Sequence, residues 1–281
     1  MKVSEKKQGY KVKLRENRVI RLILFPFMNY KRKKKVKDYK KTADSRFIKS
    51  LKDTKKGKRC FIIGNGPSLK PEDLDKLINE DTFAFNRIYY LFDKTKWRPT
   101  YYMCVDADVL ELNAKNINNL DLPCIFLAKK IQNTPTNNIH IICDYAPFKL
   151  NKWDYSPPFV SEDVSSYFCS CYTVTFEALQ LAIYMGYEEI YLLGVDHNYS
   201  VKVSPKGKVS RDETIKDYFD GLHKTDITMM NYEATTAAFQ AVQNYCSQGN
   251  KVRVYNATRG GKLEVFQRVA FDDVINRSIS S

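Results

Sequence analysis

Five polar residues of this 281-residue chain stand where apolar or aromatic runs end: Asn65, Asn86, Asp106, Asp196 and Asn256. An amide or carboxylate at such a point either hydrogen-bonds a ligand or turns the chain as an Asx turn, and each residue alone admits both readings. Around the first, the sequence reads Gly64-Asn65-Gly66-Pro67-Ser68, a tight glycine turn leading into a helix start. The free N–H groups of a helix start can hold a phosphate. Leu69 stands where a dinucleotide fingerprint needs its third glycine, and no Gly-Lys-Ser/Thr follows as a P-loop requires. The turn therefore suits a nucleoside monophosphate or a sugar nucleotide held without a triphosphate grip. Asp106 and Asp108 form a D-x-D pair after a predicted strand, which could hold Mg²⁺ against phosphates, or cap a helix. Of three histidines, His140 lies inside an apolar strand and reads as structural, whereas His197 follows Asp196 at the same rim. His223 lies in a polar stretch, and a histidine neutral near pH 7 can accept a proton from a reacting hydroxyl.

These residues need elements to position them. From Lys58 onward the pattern alternates strand and helix. "RCFIIG", "TFAFN", "TYYMCVD", "CIFLA", "HIICD", "EIYLLGVD" and "KVRVYN" are rich in branched and aromatic residues and predict strands. "LKPEDLDKLI" predicts a helix from Pro71 near its start and from Glu72 and Asp73 in its first turn. "TVTFEALQLAIYMG" and "YEATTAAFQAVQNYCSQG" repeat apolar residues at helical spacing and stop at Gly186 and Gly249. The alternation predicts an α/β fold, a mainly parallel Rossmann-like sheet with helices on both faces. In such a sheet ligands bind outside the carboxyl ends of the strands, the rim where the five polar residues fall.

The formal charge of +14 invites a nucleic-acid partner, but residues 1–59 hold half of the 46 Lys and Arg and five of the 32 acids, so the remainder is net acidic. A nucleic-acid enzyme carries its positive charge around its working groove. Here it sits in an arm, residues 1–57, ahead of a catalytic domain at 58–281. Within the arm, "NRVIRLILFPFMNY", with the wedge Leu22, Ile23, Leu24, Phe25, Phe27 and Met28, precedes "KRKKKVKDYKK". An apolar wedge beside a polybasic run suits an anionic membrane surface. The same pattern also fits a helix packed on the protein or on a second subunit, with solvated charges. The apolar run Val19–Met28, interrupted by Arg21 and Pro26, falls short of the roughly 20 residues of a spanning helix. No segment has the layout of a secretory signal. Seven cysteines without a C-x-x-C pair read as reduced core residues. The expectation is a cytoplasmic protein, peripherally associated with membrane.

"IIGNGPSL", "FAFNRIYY", "TVTFEALQLAIYMGYEEIYLLGVD" and the downstream "HKTD" resemble the bacterial sialyltransferases of glycosyltransferase family 42. They also look like the wider DUF115 group, which includes the central domain of flagellin glycosylation factors and MptE-like pterin pyrophosphokinases. The resemblance spans roughly residues 58–258. It implies that Asn65 and Asn86 hold a CMP-sugar donor, that Thr173 and Thr175 lie in the donor-contacting segment, and that His223, just before Thr225-Asp226, is the general base. Asp106 stands where those sialyltransferases have a third donor-contacting Asn, and Tyr199 is the one loose counterpart of the pair of tyrosines that holds the donor phosphate. Gly64, Gly66, Ser68, Asp196 and Asn256 complete the expected donor-binding set, with His197 as a second candidate base.

The polar stretch 199–222 is long for a loop, which suits a lid over a hydrolysis-prone sugar nucleotide or a solvated insertion. Three functions follow as expectations. The first is an inverting glycosyltransferase that needs no metal and moves a CMP-activated nonulosonic acid onto a glycan acceptor, lipid-linked or free. The second is an Mg²⁺-dependent MptE-like pyrophosphokinase using Asp106 and Asp108. The third is a nucleotide-binding scaffold of polysaccharide assembly. A homo-oligomer is compatible with each.

Overall fold

A computed structural model describes residues 18–133, 138–145, 157–171, 173–203, 209–219 and 231–277. In chain order the strands are β1 (Arg59–Ile63), β2 (Thr82–Phe85), β3 (Tyr101–Cys104), β4 (Ile125–Leu127), β5 (Ile139–Ile141), β6 (Asp144–Tyr145), β7 (Phe168–Cys169), β8 (Glu189–Leu193), β9 (Val201–Val203), β10 (Val209–Arg211), β11 (Arg253–Asn256) and β12 (Gln267–Arg268). The helices are α1 (Arg18–Tyr39), α2 (Ala43–Ser50), α3 (Pro71–Asp75), α4 (Ala107–Leu112), α5 (Ala114–Asn118), α6 (Val174–Met185), α7 (Tyr232–Ser247) and α8 (Phe271–Arg277). All seven strands expected from the apolar runs are present; the two-residue edge strand β12 was not among them.

Eight strands form one sheet in the order β12-β11-β8-β1-β2-β3-β4-β5, and every neighbouring pair is parallel. The central strands are buried on both faces, which is why they read as continuous apolar runs and not as alternating ones. Along β1 the pleat sends Cys60 and Ile62 into one core cluster and Phe61 and Ile63 into the other. The first cluster includes Phe176, Leu179 and Ala182 of α6 and Ala238, Phe239 and Val242 of α7. The second takes Leu74 of α3, Leu110 of α4, Ile117 of α5 and Phe271 of α8. Helices therefore cover both faces, as the alternation predicts. The chain builds outward from β1 to β5, then crosses to β8 and builds the other way, so strand order reverses between β1 and β8. That reversal opens a crevice at the carboxyl ends of these two strands.

The helix stops also follow the sequence. α6 ends at Gly186, whose φ of 90° is left-handed, the region that glycine enters without steric cost. Nearly all of α6 is buried, and Gln180 in its middle has its amide fully engaged: Oε1 accepts from the N–H groups of Ser161 and Cys169, and Nε2 donates to Cys169 O at 2.9 Å. This ties β7 to α6. The seven cysteines are free, and six are buried.

The arm divides in a way its charge does not announce. α2 starts at a Thr42 cap and buries Ser45 and Ile48. Ser45 Oγ donates to Ser165 O at 2.6 Å, and Phe47 stacks on His140 with ring centroids 3.5 Å apart. Tyr39 donates its hydroxyl to Ile141 O, and the N–H groups of Asp53 and Lys55 bond the last carbonyls of α6. Residues 39–55 thus pack as part of the sheet unit, while Phe27 and Tyr30 on α1 are exposed. The side chains of Leu22, Ile23, Leu24 and Phe25 lie outside the described residues. No helix among the described residues is long and apolar enough to cross a membrane.

Candidate functional site

The loops after β1 and β8 approach so closely that two positions admit only glycine. A Cβ on Gly64 would stand 2.2 Å from Gly194 O, and one on Gly66 would stand 1.9 Å from Asp196 Oδ2. Backbone bonds from Gly64 N to Leu193 O and from Gly66 N to Gly194 O lock the loops together. Ser68 donates its hydroxyl to Asp196 Oδ2 at 2.8 Å, and Lys262 N donates to Asp196 O. Asp196 is buried there, and burial raises its pKa, partly offset by the bonds from Ser68. Its role is to hold the floor of the crevice.

Above that floor lies a cavity of about 410 Å³. Of the sequence-predicted residues, Gly64, Asn65, Gly66, Asn86, Asp106, Thr173, Thr175, Asp196, His197 and Tyr199 all line it. Asn65 donates Nδ2 to Phe85 O at 3.0 Å, which fixes its amide and turns Oδ1 free. Asn86 is held in the left-handed region, φ 48°, with its own N–H on Met103 O. The Oδ1 atoms of Asn65, Asn86 and Asn198 are buried without a hydrogen-bond partner. A buried polar group left unpaired is costly, and these carbonyls could accept N–H or O–H groups of a molecule in the cavity. No Lys or Arg is among the described residues lining the cavity.

Thr173 precedes α6 as its N-cap but makes no side-chain cap bond, and it lines the cavity together with Val174 and Thr175. Glu177, in the first turn of α6, also lines it, and sequence reasoning missed this residue. An acid in a helix's first turn reads as a dipole-favoured surface residue. Instead Glu177 is buried, Oε2 has no partner, and burial pushes the carboxyl up to about 8.

His197 has a different part from the base suggested by its position. Its Nε2 lies 2.8 Å from Thr236 Oγ1, whose own proton goes to Tyr232 O. Nε2 must therefore carry the proton, leaving Nδ1 to accept from the Tyr199 hydroxyl at 3.4 Å. The ring stacks on Tyr232, and burial with nearby Lys202 lowers its pKa to about 4. Such a neutral, doubly engaged ring suits a wall of the cavity better than a proton acceptor. Burial likewise raises the Tyr199 hydroxyl.

Asp106 caps α4, its Oδ1 accepting from the N–H groups of Asp108 and Val109, while Asp108 is exposed and is not among the lining residues. No group of three or more His, Cys, Asp or Glu stands together as a metal site among the described residues. Asn256 does not reach the cavity: it closes its own loop, donating to Leu263 O and accepting from Thr258 N. Ser68 acts through Asp196. Of the expected lid, β9 and β10 form an antiparallel ribbon, Ser200 N donates to Asp217 Oδ1, and Phe219 N bonds Asn65 O. Asp217 and Tyr218 thereby join the cavity wall. His223, Thr225 and Asp226 lie outside the described residues.

A doubly wound parallel sheet with a cavity at its switch point, lined among the described residues by polar and apolar side chains and no Lys or Arg, defines a Rossmann-like α/β protein. The chain belongs to the family described as 6-hydroxymethylpterin diphosphokinase MptE-like, whose model matches residues 33–202. Similar solved structures include the MAf glycosyltransferase of Magnetospirillum magneticum AMB-1, with a TM-score of 0.47 and 14% identity. That likeness covers 84% of this chain and 40% of the other, so this chain spans well under half of the larger protein. Another is the sialyltransferase CstII of Campylobacter jejuni in complex with cytidine-5'-monophosphate, with a TM-score of 0.41, 19% identity, and coverage of 76% and 86%. No curated protein matches the sequence.

Proposed function

We propose that the protein is an inverting glycosyltransferase that moves a CMP-activated nonulosonic acid onto a surface-glycan acceptor. The observation that carries the reading is the set of buried, unpartnered amide carbonyls of Asn65 and Asn86 in the switch-point cavity, which the start of α6 also lines. They suit the hydroxyls and exocyclic amine of a nucleoside monophosphate. A single phosphate is held adequately by N–H and hydroxyl donors, whereas a triphosphate usually draws Lys, Arg or a metal.

In the reaction the bond between the anomeric carbon and the phosphate oxygen breaks and CMP departs with the electron pair. An acceptor hydroxyl forms the new bond from the opposite side and gives its proton to a base. By resemblance that base is His223. N–H and hydroxyl groups at the leaving phosphate stabilise the charge that develops there. The ribbon of β9 and β10 with residues 212–219 serves as the lid, and the basic face of α1 holds the enzyme at an anionic membrane, near a lipid-linked acceptor. The test is CMP release and product formation with the donor for His223→Ala against His197→Ala. Loss of about 10²-fold or more in the first is expected for a missing general base. Near-normal turnover in that variant contradicts the assignment.

The family description favours a second reading, pyrophosphoryl transfer with Mg²⁺ held by Asp106 and Asp108. The capping role of Asp106 weighs against it. Activity that survives EDTA removes it.

A further inference from the structure

Glu177 stands apart from every other polar group of α6. One turn further on, Gln180 is equally buried but uses both of its amide atoms within the protein. Glu177 is 1% exposed, lines the cavity, and leaves Oε2 without a partner. Beside it are the cap position Thr173 and the buried Thr175 at the start of the 12-residue helix α6, and both line the cavity. An ionised carboxylate here would repel any anion that this helix start attracts.

Among the described residues, the groups around Glu177 supply no cation to keep it charged. Ser170 and the N–H groups of Cys171 and of Glu177 itself reach the carboxyl, while Asp144 on β6 opposes its ionisation, and Cys169 on β7 is a neighbouring thiol. Across the cavity stand Asp106, Asp196, Asp217 and the neutral His197. Burial outweighs the hydrogen bonds, and the carboxyl keeps its proton up to about pH 8. A protonated carboxyl is a donor, and Oε2 has no hydrogen-bond partner among the described residues.

We propose that Glu177 is a specificity-determining group of the cavity, a neutral carboxylic acid whose Oε2–H donates to an anionic oxygen of the bound molecule. The proposal rests on the nucleotide reading above. The anionic oxygen belongs to the phosphate of the nucleotide or to the carboxylate of its sugar. The neutral acid binds that oxygen and the ionised acid expels it, so the same side chain sets both the charge of the ligand accepted and the pH range of binding.

The experiment is calorimetric titration of the full chain with CMP from pH 6.5 to 9.5, for wild type, Glu177→Gln and Glu177→Leu, with cytidine as the phosphate-free control. Wild-type affinity for CMP is expected to fall about tenfold per pH unit above the carboxyl's pKa, as linkage requires when only the protonated form binds. Glu177→Gln keeps a donor that cannot ionise, so it should bind within a few-fold of wild type at pH 6.5 and stay flat to pH 9.5. Glu177→Leu should bind weakly throughout, with a melting curve showing that it is folded. If CMP and cytidine show the same pH dependence, the acceptor is not the phosphate, and a CMP-nonulosonate analogue that restores the difference assigns it to the sugar carboxylate. Parallel profiles of wild type and Glu177→Gln with every ligand overturn the proposal while leaving the nucleotide reading standing. If wild type binds no CMP at pH 6.5, the nucleotide reading fails first and the role of Glu177 falls with it. An infrared carboxylic C=O band, lost in Glu177→Gln and shifted by CMP, reports the proton directly; a band that CMP does not move also overturns it.

Discussion

At Gly66 the absence of a side chain is a steric requirement, since the carboxylate of Asp196 occupies the space of a Cβ. Gly66→Ala is therefore expected to displace Asp196 from Ser68, lowering stability by about 1–3 kcal/mol, the usual cost of forcing atoms into a packed site. Thermal melts and CMP titration together read this change. His197 gives a pH signature. Its folded pKa of about 4 lies below the ordinary 6.5, so the unfolded chain takes up a proton first as pH falls. Its contribution is present above pH 6.5 and lost between 6.5 and 4, on the order of 3 kcal/mol. Urea unfolding of His197→Asn should show a shallower loss over that window than wild type. The residues at this scale differ in how much the sequence discloses. Asn65 and Asn86 were legible because strand ends point to one rim, but Asn256, also at a strand end, turns to its own loop. Glu177 was not legible, because its burial comes from β6, β7 and the 170–171 turn, which no local pattern announces.

At the scale of elements, the central strands were readable from sequence because double-faced burial leaves an apolar run, and α6 and α7 because glycine stops close their patterns. α2 escaped that reading: within "ADSRFIKS" only Phe47 and Ile48 are large apolar residues, hidden inside a basic stretch. Its burial has a direct consequence for truncation. A chain starting at Lys58 loses Ile48, the Phe47–His140 stack and the bonds of Tyr39 and Ser45, and is expected to unfold or melt far below the full chain. A chain starting at Lys37 keeps all of these contacts and gives up the exposed Lys35–Asp144 pair, worth roughly 0–1 kcal/mol, and should fold and bind CMP. Circular dichroism melts of the two distinguish them.

Across the whole molecule, positive charge and binding cavity are segregated. Half of the basic residues lie in the first 59 positions, while the described cavity wall has none. On the proposed function, this separation leaves the basic residues 1–59 to meet an anionic surface and the cavity to take a neutral or monoanionic group. Full-length protein should co-sediment with anionic vesicles at low salt and largely release near 1 M, where the Debye length is about 3 Å. The chain starting at Lys37 should stay in the supernatant at both. Sedimentation of the shortened chain equal to that of the full one would assign the membrane contact elsewhere.

The central claim is that the switch-point cavity takes a cytidine monophosphate group without a metal. Thermal shift with CMP, CDP, UDP, GDP and ATP, each with and without Mg²⁺, tests it most directly, because a ligand that binds only the folded state raises the melting temperature. The account predicts a rise with CMP that Mg²⁺ does not alter and little response to ATP. A rise with ATP that depends on Mg²⁺, and none with CMP, would contradict it.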